Sequence, residues 1–512
     1  MRFSCCLSRK VSTPAEPSPY SKAFTLSRNS NSSRSPYIMN HERYEERLNL
    51  VKSVIHSYGL EPVDITPIDY DETAPFAYNN YIYKITLSAP LTPSSIPHER
   101  RRPYTQPPPG QGTSTVVMRI ANPEAEGVVQ DNRVENEVAA VHLAREGLGS
   151  YKPEIAGLVP ALYDWRPYRP SEITGTEAGV PGDGGSSSYG WSLMEFKRGV
   201  PLDTVFRDMN DGEKGDVLGQ IADLVTGIQR VSLPKSVKSH GGLSIDEAGR
   251  IVGGAMTTVK GGPWERYSDF WKARLAIRLE DADASPALDG WRPNGVRERV
   301  DRFLESGLER YLDGSGVDVG KLALIHGDLS KLYTAPVKSG LVVKPIQLTD
   351  IPLPATNNTL YDTTTKKLTS ILDFDFAFVS HPCHEFFTSL GDVGGNTGGG
   401  TGRDPDLSGG LLGKAMLTGD FDGIRGSLPQ EALGQLTTAR AWEGALRESG
   451  AVRPSEVRGM AALDGLRRLE ALACPFALEH PVMLRRKTRE EIEGMRAVAE
   501  RELVRCLEGF GY

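Results

Sequence analysis

Two short clusters in the sequence have the residue types and spacing for phosphoryl chemistry. His326-Gly327-Asp328 follows the apolar residues Leu322, Leu324 and Ile325, and Asp373-Phe374-Asp375 follows Leu368, Ile371 and Leu372. Such apolar runs read as buried strands, so each carboxylate emerges where a strand gives way to a loop. One aspartate to accept a hydroxyl proton and a second to hold magnesium is what phosphoryl transfer asks of a protein, because its task is positioning and charge neutralisation. Asp328 suits the first role and Asp373 the second.

The clusters resemble the catalytic loop H-G-D-x-x-x-x-N and the apolar-D-x-x metal loop of the aminoglycoside phosphotransferase family, whose fold is protein-kinase-like. That family carries a metal-ligating asparagine five positions after the catalytic aspartate. Here the position is Tyr333, which cannot replace an amide oxygen on magnesium. With Leu332 to Thr356 lifted out, the chain reads HGDLSK, Asn357, Asn358, and Asn358 falls at the family's spacing from Asp328. The lifted segment is rich in proline and threonine and has no helical period. It reads as a retained intron, with a long surface loop as the rival, since loop-closure cost grows slowly with length.

The resemblance implies an α+β, two-lobed fold, with a small, mostly antiparallel β N-lobe containing a helix and a larger, mainly helical C-lobe. It also implies an ATP- and Mg2+-dependent kinase acting on a hydroxyl group of a small molecule. Asp328 is then the catalytic base, Asn358 and Asp373 hold magnesium, and Asp375 either takes a second magnesium or braces the loop. Enzymes of this fold phosphorylate acceptors as different as choline, homoserine and fructosamines, so the resemblance does not choose the acceptor.

The elements that must position these residues follow from periodicity. Residues 39–196 form the expected N-lobe: a helix over 41–58, with Tyr44, Leu48, Val51 and Ile55 at helical spacing, then a hairpin over 64–87 turning at Asn79-Asn80. A strand over 116–120 puts Arg119 where the family has a phosphate-contacting lysine. A helix over 132–146 offers Glu137 as its partner, with Glu135 facing elsewhere. The apolar strand over 192–196 leads to the link between lobes, where the resemblance has main-chain groups of Glu195, Phe196 and Lys197 bind the adenine.

Residues 197–512 form the expected C-lobe, with apolar stripes over 217–228 and 296–311. Glu385 stands where the family has an acid that brackets the catalytic loop. The aromatic run GGPWERYSDFWKARL lines a pocket or packs the lobe, and packing is the expected role. His381, Cys383 and His384 lie too close together in sequence to surround one tetrahedral ion. Thr488 and Glu491 form a capping box for the last helix.

The 512 residues carry a net charge of -7 and are 39% hydrophobic. This allows sizeable cores and gives no global basic surface for nucleic acid or anionic membrane. Five cysteines without paired metal spacing suit a reducing compartment. The expected partner is a small hydroxyl-bearing molecule, with no nucleic acid and no membrane, in the cytoplasm. The Ser-, Pro- and Arg-rich residues 1–38 read as a disordered tail whose weak likeness to a transit peptide makes mitochondria the alternative. Tyr333, Arg119 and a glycine-poor turn motivate a competing class, a pseudokinase or nucleotide-binding interaction module.

Overall fold

In the computed structural model, which describes residues 40–71, 74, 77–169, 189–329, 358–389, 407–428, 430 and 433–512, helix α1 (Tyr44–Ser57) packs on a five-stranded antiparallel sheet. The strands are β1 (Pro62–Ile68), β2 (Asn80–Leu91), β3 (Thr113–Ala121), β4 (Leu162–Arg166) and β5 (Trp191–Glu195), in the order β1-β2-β3-β5-β4. Strict alternation in β2 buries Tyr81, Tyr83, Ile85 and Leu87 against Val51 and Ile55 of α1. The same pairing sets Arg119 opposite Ile82 on one side and Ser192 on the other.

Helix α2 (Arg133–Tyr151) joins this sheet to the helical lobe and is buried on most sides. It runs five residues beyond the expected end, through Gly147 and Gly149. A Cβ on Gly147 would stand 2.4 Å from the Val231 side chain and 2.7 Å from the Gly227 carbonyl, so the close approach of residues 227–231 explains a glycine inside this helix. After the short β6 (Val200–Pro201) and α3 (Asp203–Phe206), α4 (Asp211–Gln229) packs against α2 and against the helix Leu433–Ser449. Val217, Leu218, Ile221, Leu224, Val225 and Ile228 of α4 are buried in that core, as their spacing requires.

The hairpin β7 (Gly242–Ile245) and β8 (Ile251–Gly254) precedes α5 (Tyr267–Ala284). Tyr267, Phe270 and Trp271 of α5 lie in a second core with residues of the helices Met460–Ala473 and Arg489–Gly509. The capping box forms: Thr488 N–H donates to Glu491 Oε2 at 2.7 Å and Glu491 N–H to Thr488 Oγ1 at 3.2 Å. A two-stranded ribbon and a three-stranded sheet finish the lobe, with β9 (Ala323–Ile325) pairing β12 (Phe378–Ser380), and β10 (Thr359–Asp362) pairing both β11 (Lys367–Ile371) and β6. The whole is an α+β fold, with a five-stranded antiparallel sheet in its N-terminal part and a mainly helical C-terminal part.

One expectation is corrected. Asn79-Asn80 is not the hairpin tip, because β2 begins at Asn80 and the connection from β1 spans residues 69–79. The apolar stripe over 296–311 is buried in the second core, on helical segments joined through a π-turn at Phe303–Gly307. The 1–38 tail, Tyr333 with the segment 332–356, and most of the glycine-rich stretches 182–190 and 391–410 lie outside the described residues. Among the described residues, no helix is long and apolar enough to cross a membrane.

Candidate active site

Two antiparallel ribbons bring the acidic clusters together. In the first, Ile325 pairs with Phe378, so His326-Gly327-Asp328 leaves β9 beside the segment that enters β12. In the second, Thr359 pairs with Ile371, so Asn358 stands just before β10 while Leu372-Asp373 leaves β11. The ribbons are laced to each other: Leu372 N–H donates to the Asn358 carbonyl at 2.7 Å, and His326 Nε2 bonds the Leu372 carbonyl at 2.9 Å. Asn358 Nδ2 then donates to the main-chain carbonyl of Asp328 at 2.7 Å and to its Oδ2 at 3.2 Å.

The loop holding Asp328 is fixed at every joint. Gly327 has φ +81, and a Cβ there would meet the Phe376 carbonyl at 2.6 Å, so the turn needs glycine. Asp328 N–H donates to His326 Nδ1 at 3.2 Å, which leaves the proton of a neutral imidazole on Nε2, facing Leu372. Burial pushes the His326 pKa down and favours that neutral form. Glu385 accepts from the main-chain N–H of His326 at 2.7 Å, from that of Gly327 at 3.3 Å, and from Ser389 Oγ at 2.6 Å. Ser389 Oγ in turn accepts from Leu329 N–H at 2.8 Å.

Above this loop lies a buried ion cluster. Arg119 reaches Glu137 Oε1 at 2.9 Å, Asp373 Oδ1 at 2.6 Å and Asp375 Oδ2 at 3.4 Å. Burial acts against its charge, yet the attraction of Asp373, Glu137 and Asp375 prevails and raises its pKa. Burial pushes the Glu137 carboxyl up to about 7 against the pull of Arg119. Glu135 makes no contact with Arg119, and Glu137 is the residue of this helix that reaches it.

Asp375 is held by a residue that sequence reasoning missed. Arg133 Nε donates to Asp375 Oδ1 at 2.7 Å and Nη2 to Oδ2 at 2.5 Å, a bidentate pair in which both side chains are almost wholly buried. Asn80 Nδ2 adds a bond to Oδ2 at 3.1 Å. Burial alone would raise the Asp375 carboxyl, but Arg133 and Arg119 hold it below the usual range. With both oxygens so engaged, Asp375 acts in this structure as a brace between α2, β2 and the segment that follows β11. A signal was present: Arg133 stands four residues before Glu137, on the same face of α2. Asn136 and Asn132, from the same turns, bond the Ala377 carbonyl at 2.9 Å and the Leu243 carbonyl at 2.6 Å.

At the link between lobes, Glu195 N–H already donates to the Ala161 carbonyl at 2.8 Å. Lys197 Nζ bonds the Gly157 carbonyl at 2.7 Å and Glu195 Oε1 at 2.8 Å, and the Phe196 ring lies under Lys84 Nζ at 5.2 Å. The Glu195 N–H is thus engaged within the sheet region, while Phe196 and Lys197 lie beyond the end of β5.

The donor set suits a hard divalent cation. Asn358 is oriented by its two bonds to Asp328 so that its amide oxygen, which accepts no hydrogen bond among the described residues, remains for a metal. Asp373 Oδ1 is taken by Arg119, while Oδ2 accepts nothing among the described residues and the side chain is 32% exposed. Asp373 also sits at φ +60, a conformation costly for a non-glycine residue and one that clusters at functional sites. Oxygen-only donors of this kind fit magnesium. Beside Asp328 opens a cleft of about 250 Å³, walled by Thr258, Val259, Ile277, Phe376 and Phe378.

Solved structures similar to this chain include a thermostable mutant of the aminoglycoside phosphotransferase APH(4)-Ia, at 14% identity and TM-score 0.37, covering 90% of this chain and 98% of that one. The aminoglycoside phosphotransferase APH(2'')-Ib with bound ADP is similar at 9% identity and TM-score 0.36, over 91% and 98%. Plasmodium vivax ethanolamine kinase is similar at 7% identity and TM-score 0.35, over 88% and 82%. No protein-family model matches the chain, and no curated protein matches it.

Proposed function

We propose that this chain is an ATP- and Mg2+-dependent kinase that phosphorylates a hydroxyl group of a small molecule. The observation that carries the reading is the bond from Asn358 to Asp328, made beside Asp373: a base, an amide oxygen and a carboxylate converge from three separate stretches of sequence. Asp328 orients the acceptor hydroxyl and takes its proton. Asn358 and Asp373 would hold magnesium, which when bound neutralises charge on the transferring phosphoryl group. Arg119, anchored by Glu137, lies within reach of Asp373 and presents its charge to the nucleotide phosphates. Main-chain groups of Phe196 and Lys197 receive the adenine. The N-lobe over 39–196 and the C-lobe over 197–512 close on the nucleotide between them.

The first measurement is the thermal shift of the full chain with ATP and magnesium together and with each alone, since a ligand that binds only the folded state raises apparent stability. A shift that needs both is expected. Asp328→Asn should keep that shift while turnover with an acceptor drops about 10²- to 10⁴-fold, the scale of a lost general base. Full turnover by this variant, or no nucleotide response in the parent chain, removes the proposal.

A further inference from the structure

The cleft beside Asp328 has a charged wall that the proposed chemistry does not use. Arg274 and Arg278, with Ile277 between them, line it from α5. Spacings of three and four residues set all three on one face of the helix. Glu470 of the helix Met460–Ala473, which packs against α5, lines the cleft beside them. Arg274 Nη2 lies 2.9 Å from each of the two Glu470 oxygens, so a single nitrogen engages the whole carboxylate. Arg274 Nε is buried and has no acceptor among the described residues. Phe270 and Trp271, with ring centroids 5.5 and 5.7 Å from the guanidinium carbon, hold the side chain in place. Arg278 meets Asp281 at 3.3 Å, where both side chains are about a third exposed.

Among the described residues, the other ionisable ones lining the cleft are Asp328 and Glu470. Asp328 is assigned to the hydroxyl, and Glu470 is neutralised by Arg274. What remains at the cleft wall is the guanidinium of Arg278, about a third exposed and held to Asp281 through one nitrogen, and such a fork matches the oxygens of a carboxylate or phosphate. An amine placed there would face two like charges and would have to displace Arg274 from Glu470. The walls Val259, Ile277, Phe376 and Phe378 are apolar, and about 250 Å³ admits only a small molecule. The geometry points to an acceptor that carries an anionic group, a carboxylate or a phosphate monoester, alongside the hydroxyl that is phosphorylated. This substrate class rests on the kinase reading above.

The test reads binding without nucleotide, as the thermal shift of the full chain with 3-hydroxybutyrate and glycerate, with glycerol phosphate, with neutral diols, and with amino alcohols. A shift with one or both anionic sets is expected, and which set responds tells carboxylate from phosphate. Neutral and amino alcohols should give none. Arg278→Gln should weaken the anionic probe about tenfold or more, as loss of a charge-assisted hydrogen bond does. The double variant Arg274→Gln with Glu470→Gln removes the ion pair as a unit, strands no carboxylate, and should do the same. An equal response to amino alcohols, no response to either anionic set, or unchanged affinity in both variants overturns the inference. Because no nucleotide enters this measurement, its failure is separate from failure of the ATP and magnesium shift, which tests the kinase reading alone.

Discussion

Asn358 donates through one amide nitrogen to both the main-chain carbonyl and the carboxylate of Asp328, 30 residues earlier. That single nitrogen fixes the aspartate's orientation and leaves the amide oxygen on the opposite branch of the side chain.

Asn358→Ala removes both bonds and should cost about 1–3 kcal/mol, the range for hydrogen bonds to a buried charged group. Asn358→Asp should be worse in a pH-dependent way, because it sets a second carboxylate against Asp328. One of the pair then keeps its proton, the folded-state pKa of the pair rises, and stability is lost as pH rises through that value. Melting temperatures without magnesium at pH 5.5 and 8.5 check this. The gap between the aspartate and alanine variants should open at the higher pH, and a constant gap would count against the proposed contact.

The same contact bears on the segment between the two residues. Since Asn358 sits against Asp328, deleting residues 332–356 shortens the separation from 30 to 5 without asking either end to move. Loop-closure entropy alone then favours the shortened chain by about 1.5 kcal/mol. A folded deletion variant, at least as stable as the parent and responding to ATP with magnesium, is the expected outcome. An insoluble or unresponsive variant would show that the segment contributes to the fold or to the site.

Glu137 supplies a pH signature. Its carboxyl is raised to about 7 by burial, despite Arg119, while in the unfolded chain it titrates near 4.5. Between those values the native state binds the extra proton. This group's contribution is therefore complete below about pH 4.5 and is lost as pH rises through 7. Buried His240 and His381, both lowered to about 4, act in the opposite direction by losing stability as pH falls below 6.5. The difference between parent and Glu137→Gln isolates the carboxyl. Urea midpoints from pH 4.5 to 7.5 should show the parent losing ground to the variant as pH rises, and a pH-independent difference would refute the assignment.

What the sequence made legible follows from range. Apolar runs ending in His326-Gly327-Asp328 and Asp373-Phe374-Asp375 announce themselves locally, and the Arg119–Glu137 pair follows from one strand and the next helix. Arg133 is different: its partner Asp375 is 242 residues away, and alone it reads as an ordinary charge at a helix start. Asn-Asn is turn chemistry and points to a turn tip, yet Asn80 opens β2 and turns its side chain to Asp375. The run containing Arg274 has the aromatic content of lobe packing. Its aromatic residues do pack, but one turn further on the same helix reaches the cleft.

Glu385 gives the last prediction, because the residues it holds are main chain and cannot be mutated directly. One oxygen accepts from His326 N–H, and the other from Gly327 N–H and Ser389 Oγ. Glu385→Gln keeps the shape but turns an amide donor toward groups that also donate, leaving buried N–H groups unmet at about 1–3 kcal/mol. Ser389→Ala removes the hydroxyl that bonds both Glu385 and Leu329 N–H. It leaves the carboxylate on the His326 and Gly327 amides but strands the buried Leu329 N–H, so its cost should also fall at about 1–3 kcal/mol. If Glu385 acts by holding the loop, both variants should lose turnover in the same order as they lose stability, while the ATP and magnesium shift persists. Loss of the nucleotide response in Glu385→Gln, with turnover unaffected in Ser389→Ala, would instead assign Glu385 to the nucleotide side of the site.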